Sequence, residues 1–313
     1  MKVFSTFTGI GGFEIGIRHA ADRAGAEVEI VGYSEIDKNA ISVFERHYKG
    51  VTNYGDITKI DAEALPDFDC LVGGFPCQAF SILGQRKGFE DTRGTLFFDL
   101  ARILQAKRPG LFVFENVKGL VVHDGGRTFR TIISTISDLG YDCQWQVINS
   151  TNHSVPHNRD RVIIVGHLRG SRRPQVLPFR RTAKKNNIQY HSAKTYPSEP
   201  QVRIPEATVA GFAMAKPGQA VNLSMPNSRS RRGRVSDVSP TLDTGMWIYT
   251  VDADGRLRRL TPTECERLQA FPDGWTKTGI LGEEFTDRQR YKMLGNAVTT
   301  NVIQSVFSKI FNQ

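Results

Sequence analysis

Gly73-Gly74-Phe75-Pro76-Cys77-Gln78 closes the apolar run Asp69-Cys70-Leu71-Val72. The run reads as a short buried strand. Two glycines then free the backbone, and Pro76 fixes φ just before a cysteine. A thiol so placed sits in a loop beyond the carboxyl end of a strand, where open α/β sheets bind ligands. Free cysteines are also among the most often buried residues. The Pro76-Cys77 pair alone therefore leaves a nucleophile and a packed thiol about equally open. Glu115 stands at the end of a second apolar strand, Leu111 to Phe114, which puts a carboxylate at a site edge rather than in the core. Arg159 and Arg161 alternate, so an extended chain turns both to one face. Two adjacent guanidiniums need an acidic or hydrogen-bonding counterpart, or they mark an exposed strand edge.

These groups need a frame. Lys2 to Phe7 reads as a strand, and Thr8-Gly9-Ile10-Gly11-Gly12-Phe13-Glu14 as a glycine-rich turn entering a helix. Glu14 stands where the dinucleotide fingerprint requires its last glycine, so a nucleoside fits this turn better than a dinucleotide. Glu29 to Ser34 is a second strand. Glu35 beyond it is placed to hold a ribose diol, and Asp37 to cap the next helix. Asp56 is placed to accept from an adenine amino group or to stabilise a turn. Helices are expected over Thr95 to Ala106, around Phe129 to Leu139, and at the end around Val302 to Ile310. Tyr141 to Ile148 and Arg161 to Val165 read as strands. Thr261-Pro262-Thr263-Glu264 carries a helix start with a capping box. The segment from 78 to 94 is long for a loop. Its polar, basic and glycine residues, with Phe80 and Phe89, suggest a lid that meets phosphates.

The chain has 313 residues and a formal net charge of +9. That excess favours a polyanionic partner, nucleic acid first. Its clusters agree: Arg169, Arg172, Arg173, Arg180, Arg181, Lys184 and Lys185 form one, and Arg229, Arg231, Arg232 and Arg234 the other. The texture changes near 170, where a domain boundary is expected. Four scattered cysteines show neither metal-site spacing nor a disulfide framework, so no metal is expected. No run has the length of a membrane span, and the start lacks a signal peptide, so the cytoplasm is expected.

Taken in order, these pieces resemble the DNA cytosine-5 methyltransferases of bacterial or phage modification type. Phe7-Thr8-Gly9-Ile10-Gly11-Gly12, Gly74-Phe75-Pro76-Cys77-Gln78, Glu115-Asn116-Val117, Arg159 with Arg161, Thr261-Pro262-x-Glu264-x-x-Arg267 and Leu294-Gly295-Asn296-Ala297-Val298 carry the resemblance. It covers nearly the whole chain. His157 departs from the family's usual glutamine at that position. The resemblance implies an α/β fold with a doubly wound, mostly parallel sheet, residues 1–170 and 290–313 forming the catalytic domain. Residues 171–289 would form a smaller target-recognition domain. It implies S-adenosylmethionine as cofactor and S-adenosylhomocysteine as product. Double-stranded DNA would be the partner of a monomeric enzyme with no membrane contact, within a restriction-modification system whose endonuclease is a functional counterpart.

The resemblance also assigns roles. Cys77 would attack carbon 6 of a flipped-out cytosine. Glu115 would contact ring nitrogen 3 and the exocyclic amine, Arg161 would hold the base's carbonyl oxygen, and Arg159 would orient Glu115. Phe7, Gly9, Gly11, Glu35, Ile36, Asp56, Ile57, Pro76, Leu96, Asn296 and Val298 would hold the cofactor. Ser81, Arg86 and Arg93 in the lid, with Arg231, Arg232 and Arg234, would contact DNA. Two other readings remain: a tRNA cytosine-5 methyltransferase on the same motifs, and a non-catalytic DNA-binding regulator that keeps the fold.

Overall fold

A computed structural model describes residues 1–76, 96–171, 174–179, 200–225, 228 and 230–312. Its first half runs β1 (Lys2–Thr6), α1 (Gly12–Ala24), β2 (Glu29–Ser34), α2 (Lys38–His47), β3 (Cys70–Gly74), α3 (Leu96–Lys107), β4 (Leu111–Val117), α4 (Gly119–Val122), α5 (Arg127–Asp138), β5 (Tyr141–Asn149), β6 (His157–Asn158) and β7 (Asp160–Leu168). There follow β8 (Val202–Pro205), β9 (Phe212–Ala215), β10 (Ala220–Asn222), β11 (Val235–Ser236), β12 (Ser239–Pro240), β13 (Ile248–Val251), β14 (Leu257–Arg259), α6 (Pro262–Leu268), α7 (Asp287–Asn296) and α8 (Thr300–Phe311). The chain divides into two compact units. One comprises Met1–Ile148, Asp160–Arg180 and Val302–Gln313, the other Asn149–Arg159 and Arg181–Asn301. Among the described residues no helix is long and apolar enough to cross a membrane.

In the first unit six strands hydrogen-bond in the order β2-β1-β3-β4-β7-β5. β1 runs parallel to β2 and β3, β3 parallel to β4, and β7 antiparallel to β4. β3 and β4 are apolar without alternation because both their faces are covered, as parallel sheets require. Leu71, Val72, Phe112, Val113 and Phe114 are wholly buried. Leu100 and Leu104 of α3 and Ile132 and Ile136 of α5 join the same core. Strand order reverses at β1, so the loops after β1 and β3 flank a switch point, the usual ligand crevice of such sheets. Gly73 lies opposite Thr6 there. A Cβ on Gly73 would stand 2.9 Å from the Thr6 carbonyl oxygen and closer still to its hydroxyl. Only glycine lets these two strands close at that point.

Glu14, in the first turn of α1, is 1% exposed, and among the described residues its carboxylate oxygens make no well-aligned hydrogen bond, with the Ser5 hydroxyl as a nearby donor. Burial pushes its pKa from 4.5 up to about 7. The folded state therefore holds this proton more tightly than the unfolded chain. The stability it contributes is complete below about pH 4.5 and is lost as pH rises through 7. Above that pH the native state carries a buried charge that the Ser5 hydroxyl and Arg18 offset only in part. Glu14→Gln removes the charge and keeps the shape. We expect the variant to melt several degrees above the parent at pH 8, a gain on the order of 3 kcal/mol, and to match it near pH 4.5. Equal melting curves at both pH values would contradict the assignment.

The second unit has a four-stranded sheet in the order β11-β10-β13-β14, with β12 paired to β6 and β8 to β9. Its small core includes Ile204, Ala215, Val221 and Val251. α6 opens on the capping box expected from sequence, with Thr261 and Glu264 satisfying each other's backbone N–H groups. Its buried Glu266 accepts from Gly274 N, Thr276 N and Oγ1, and Arg290 Nη2 at 2.6–3.0 Å. Those bonds tie α6 to α7 through a fully used carboxylate.

Candidate active site

The register of β3 on β4 sets Gly74 opposite Glu115. The loop that leaves β3 through Phe75 and Pro76 therefore starts beside this carboxylate. Asn116 fixes the exit: its Nδ2 donates to the Phe75 carbonyl at 2.8 Å, and its own Oδ1 accepts from Val117 N. Asn116 lies within the Glu115-Asn116-Val117 motif, but its task depends on a carbonyl forty-one residues away and carries no mark in the sequence. Glu115 is 8% exposed. Arg161 Nε lies 2.8 Å from Glu115 Oε1, yet this oxygen accepts no aligned hydrogen bond. A nearly buried carboxylate whose Oε1 is taken up by the Arg161 charge has its other oxygen, Oε2, left to meet the polar edge of a heterocycle. Cys77 lies outside the described residues. The described thiols are poorly suited to attack: burial pushes Cys70 and Cys265 far up from the ordinary thiol range, and Cys143 upward.

Arg159 and Arg161 do not share a face, contrary to the alternation argument. The strand breaks at Arg159, because β6 pairs with β12 while β7 pairs with β4. Arg161 goes to Glu115. Arg159, 2% exposed, lies in the second unit. It donates to the carbonyls of Leu242 at 3.4 Å, Gly295 at 3.3 Å and Ala297 at 2.7 Å. Arg161 stands within ion-pair distance of Glu115. His157 accepts from Leu242 N through Nε2, which requires the neutral ring on that nitrogen. Gln269 completes this frame, donating to the carbonyls of Leu294 and Ala297 and accepting from Thr299 Oγ1 at 2.6 Å. Asn296 is exposed on the segment so held, and Val298 is buried. Nothing in the composition around Gln269 marks it, because its role depends on partners distant in sequence.

The turn after β1 has three left-handed residues, Phe7 at φ 50°, Gly9 at 57° and Gly11 at 89°. A left-handed phenylalanine costs of order 1 kcal/mol or more and persists where surroundings over-determine it, typically at binding sites. Among the described residues beyond its chain neighbours, no atom lies within 4 Å of where a Cβ on Gly9 would be, so the turn is open at that point. Glu35 braces it. One carboxylate oxygen accepts from Gly9 N, and the other from Ile36 N and Asp37 N, all at 2.8 Å. Asp37 caps α2 as expected. Ile36 beside it is 70% exposed, an apolar side chain left in solvent next to the turn. Asp56 takes its turn-stabilising role, with one oxygen accepting from Thr58 N and Oγ1. Those bonds hold its carboxyl below the usual range. Ile57, expected at the cofactor, has its side chain in the core and its carbonyl taken by Arg102. Phe7 and Leu96 are half-buried against that same core, and Pro76 is exposed.

The basic residues separate by burial. Arg232 is exposed, with Nε donating to the Ala207 carbonyl, and Arg231 is half-buried. Arg234 is 3% exposed and donates to the Met225 carbonyl. It is a structural arginine rather than a phosphate contact. Ser81, Arg86 and Arg93, the lid from 78 to 94, and most of the cluster after Arg169 lie outside the described residues.

A family model for C-5 cytosine-specific DNA methylases matches residues 1–312. The chain is 36% identical to the type II methyltransferase M.NlaX of Neisseria lactamica, over 97% of this chain and 94% of that protein. It is 32% identical to the orphan methyltransferase M.SPRI of Bacillus phage SPR, over 100% and 98%. Among solved structures, the Dnmt2 methyltransferase of S. pombe shares the fold, with a TM-score of 0.65 at 19% identity over 98% of this chain and 97% of that one.

Proposed function

The chain belongs to the family of C-5 cytosine-specific DNA methylases, and from that premise we propose how its residues carry out methyl transfer to cytosine in DNA. The observation that carries the proposal is the placing of Glu115 beside the Gly74-Phe75-Pro76 loop, nearly buried and charge-paired through Oε1 with Arg161 at 2.8 Å. Cytosine carbon 5 is too electron-poor to take a methyl group unaided. The Cys77 thiolate adds to carbon 6, breaks the ring's aromaticity and leaves carbon 5 enamine-like. Glu115 engages ring nitrogen 3 and the exocyclic amine, where hydrogen bonding stabilises the charge entering the ring. Arg161 holds Glu115 and stands next to the base's carbonyl oxygen. When the carbon-5 proton leaves, its bonding pair restores the ring double bond and expels the thiolate. The target base must first leave the stack, at a cost of about a few kcal/mol.

The loop after β1 suits a nucleoside-bearing methyl donor. The turn is open at Gly9, Glu35 is fixed at its edge, and Ile36 offers an exposed apolar surface. S-adenosylmethionine bound there, against Phe7, Gly9, Gly11, Glu35, Ile36, Pro76 and Leu96, supplies the sulfonium methyl group; the family pattern adds Asn296 and Val298. Residues 171–289 carry target recognition. The enzyme acts as a monomer in the cytoplasm, and a restriction endonuclease is its functional counterpart. Incubation with methyl-labelled S-adenosylmethionine and either duplex DNA or tRNA tests the reading, with bisulfite sequencing of DNA from an expressing host. Label at cytosine carbon 5 of DNA is expected. Label on tRNA alone would move the substrate to RNA, and none on either would leave a non-catalytic DNA-binding protein.

A further inference from the structure

β13 and β14 are antiparallel, and their register sets Tyr249 directly opposite Arg259. Neighbouring arginines on β14 turn to opposite faces. Arg258 is spent on structure, forked onto both oxygens of Glu264 at 2.8–2.9 Å. Arg259 is not. Its Nε donates to the Tyr249 hydroxyl at 3.1 Å. Its guanidinium carbon lies 5.7 Å from the Tyr249 ring centre and 5.8 Å from that of Trp247. Among the described residues its Nη groups have no acceptor. They border a groove of about 770 Å³ lined also by Thr244, Trp247, Arg288 and Tyr291, with Asp287 as its carboxylate. Trp247 is 43% exposed at this groove.

Arg259 is exposed, and its one hydrogen bond and the two aromatic rings at the outer edge of cation–π range orient the fork toward the groove. A phosphate can be met by lysine's flexible point charge or by an arginine fork, and the groove beside two aromatic rings favours a flat, base-sized partner for this fork. A planar pair of donors fits a pair of acceptors in one plane. In the major groove guanine alone presents two, O6 and N7; adenine and cytosine present an amino donor, and thymine one carbonyl beside a methyl group. We propose that Arg259, backed by Tyr249 and Trp247, reads a guanine of the target sequence through its Nη edge. The inference rests on residues 171–289 being the target-recognition region.

Bisulfite sequencing first defines the motif that the parent methylates. Duplexes with each base pair of that motif replaced are then compared by kcat/KM for the parent, Arg259→Ala and Arg259→Lys. Both variants should lose discrimination at one G·C pair by about 10- to 100-fold while keeping it elsewhere. Arg259→Lys keeps the charge and the aliphatic stem, so it carries the test if the alanine variant does not fold. Unchanged motifs in both variants would overturn the proposal. So would a uniform loss across all sequences in Arg259→Ala, with a salt slope shallower by about 1 and restoration by lysine, which is the behaviour of a phosphate contact. A parent that methylates no cytosine would instead defeat the proposed function, and the two failures are distinct.

Discussion

Glu115→Gln should lower kcat for methyl transfer by about 10²–10⁴-fold, the range spanned by a positioned acid or base. The substitution preserves volume and hydrogen-bonding reach, so β4 keeps its register on β3 and β7. What it removes is the charge that faces Arg161 at 2.8 Å, and with it the carboxyl that the proposed mechanism sets against ring nitrogen 3. Arg161 then remains as a nearly buried cation without its counterion, which costs stability as well as rate. The two effects separate by measurement. A single-turnover rate on target duplex at saturating S-adenosylmethionine reads chemistry, and a melting curve reads the fold. A rate loss of the stated size with a modest fall in melting temperature supports the catalytic role. A melting loss with a parental single-turnover rate would make Glu115 a structural partner of Arg161.

Glu115 was legible in the sequence because an apolar run fully buried on both faces must end where polar residues resume. That end is the ligand edge of a parallel sheet. Asp37 and Thr261 were legible for a similar reason, since their capping partners lie within three residues. Arg159 was not. The alternation argument needs one continuous strand, and the chain changes partner between β6 and β7. The acceptors that draw Arg159 away lie on Leu242, Gly295 and Ala297, more than eighty residues along the chain. Arg234 failed in the same way. A run of arginines reads as surface, whereas one of them here reaches the Met225 carbonyl inside the second unit. Arg258 and Arg259 show the converse. Adjacent and chemically identical, they differ only in which face of β14 they occupy, and hence in whether Glu264 or an open groove receives them.

Cys77→Ala should reduce methylation on the order of 10⁴-fold or more, as loss of a covalent nucleophile does. The argument is chemical. Without addition at carbon 6, carbon 5 remains part of an intact aromatic ring, and no arrangement of Glu115 and Arg161 makes it nucleophilic. Sulfur suits the step because the thiolate both attacks well and leaves again. A duplex with 5-fluorocytosine at the target tests the same bond directly. Fluorine cannot depart as the proton does, so parent enzyme with S-adenosylmethionine should form an adduct that survives denaturation. Peptide mapping should place that adduct at Cys77, because burial raises the Cys70 and Cys265 thiols far from the reactive range. The alanine variant should bind the duplex and release it intact. An active parent that gives no adduct, or one mapped to another residue, would show that the reaction does not pass through this sulfur.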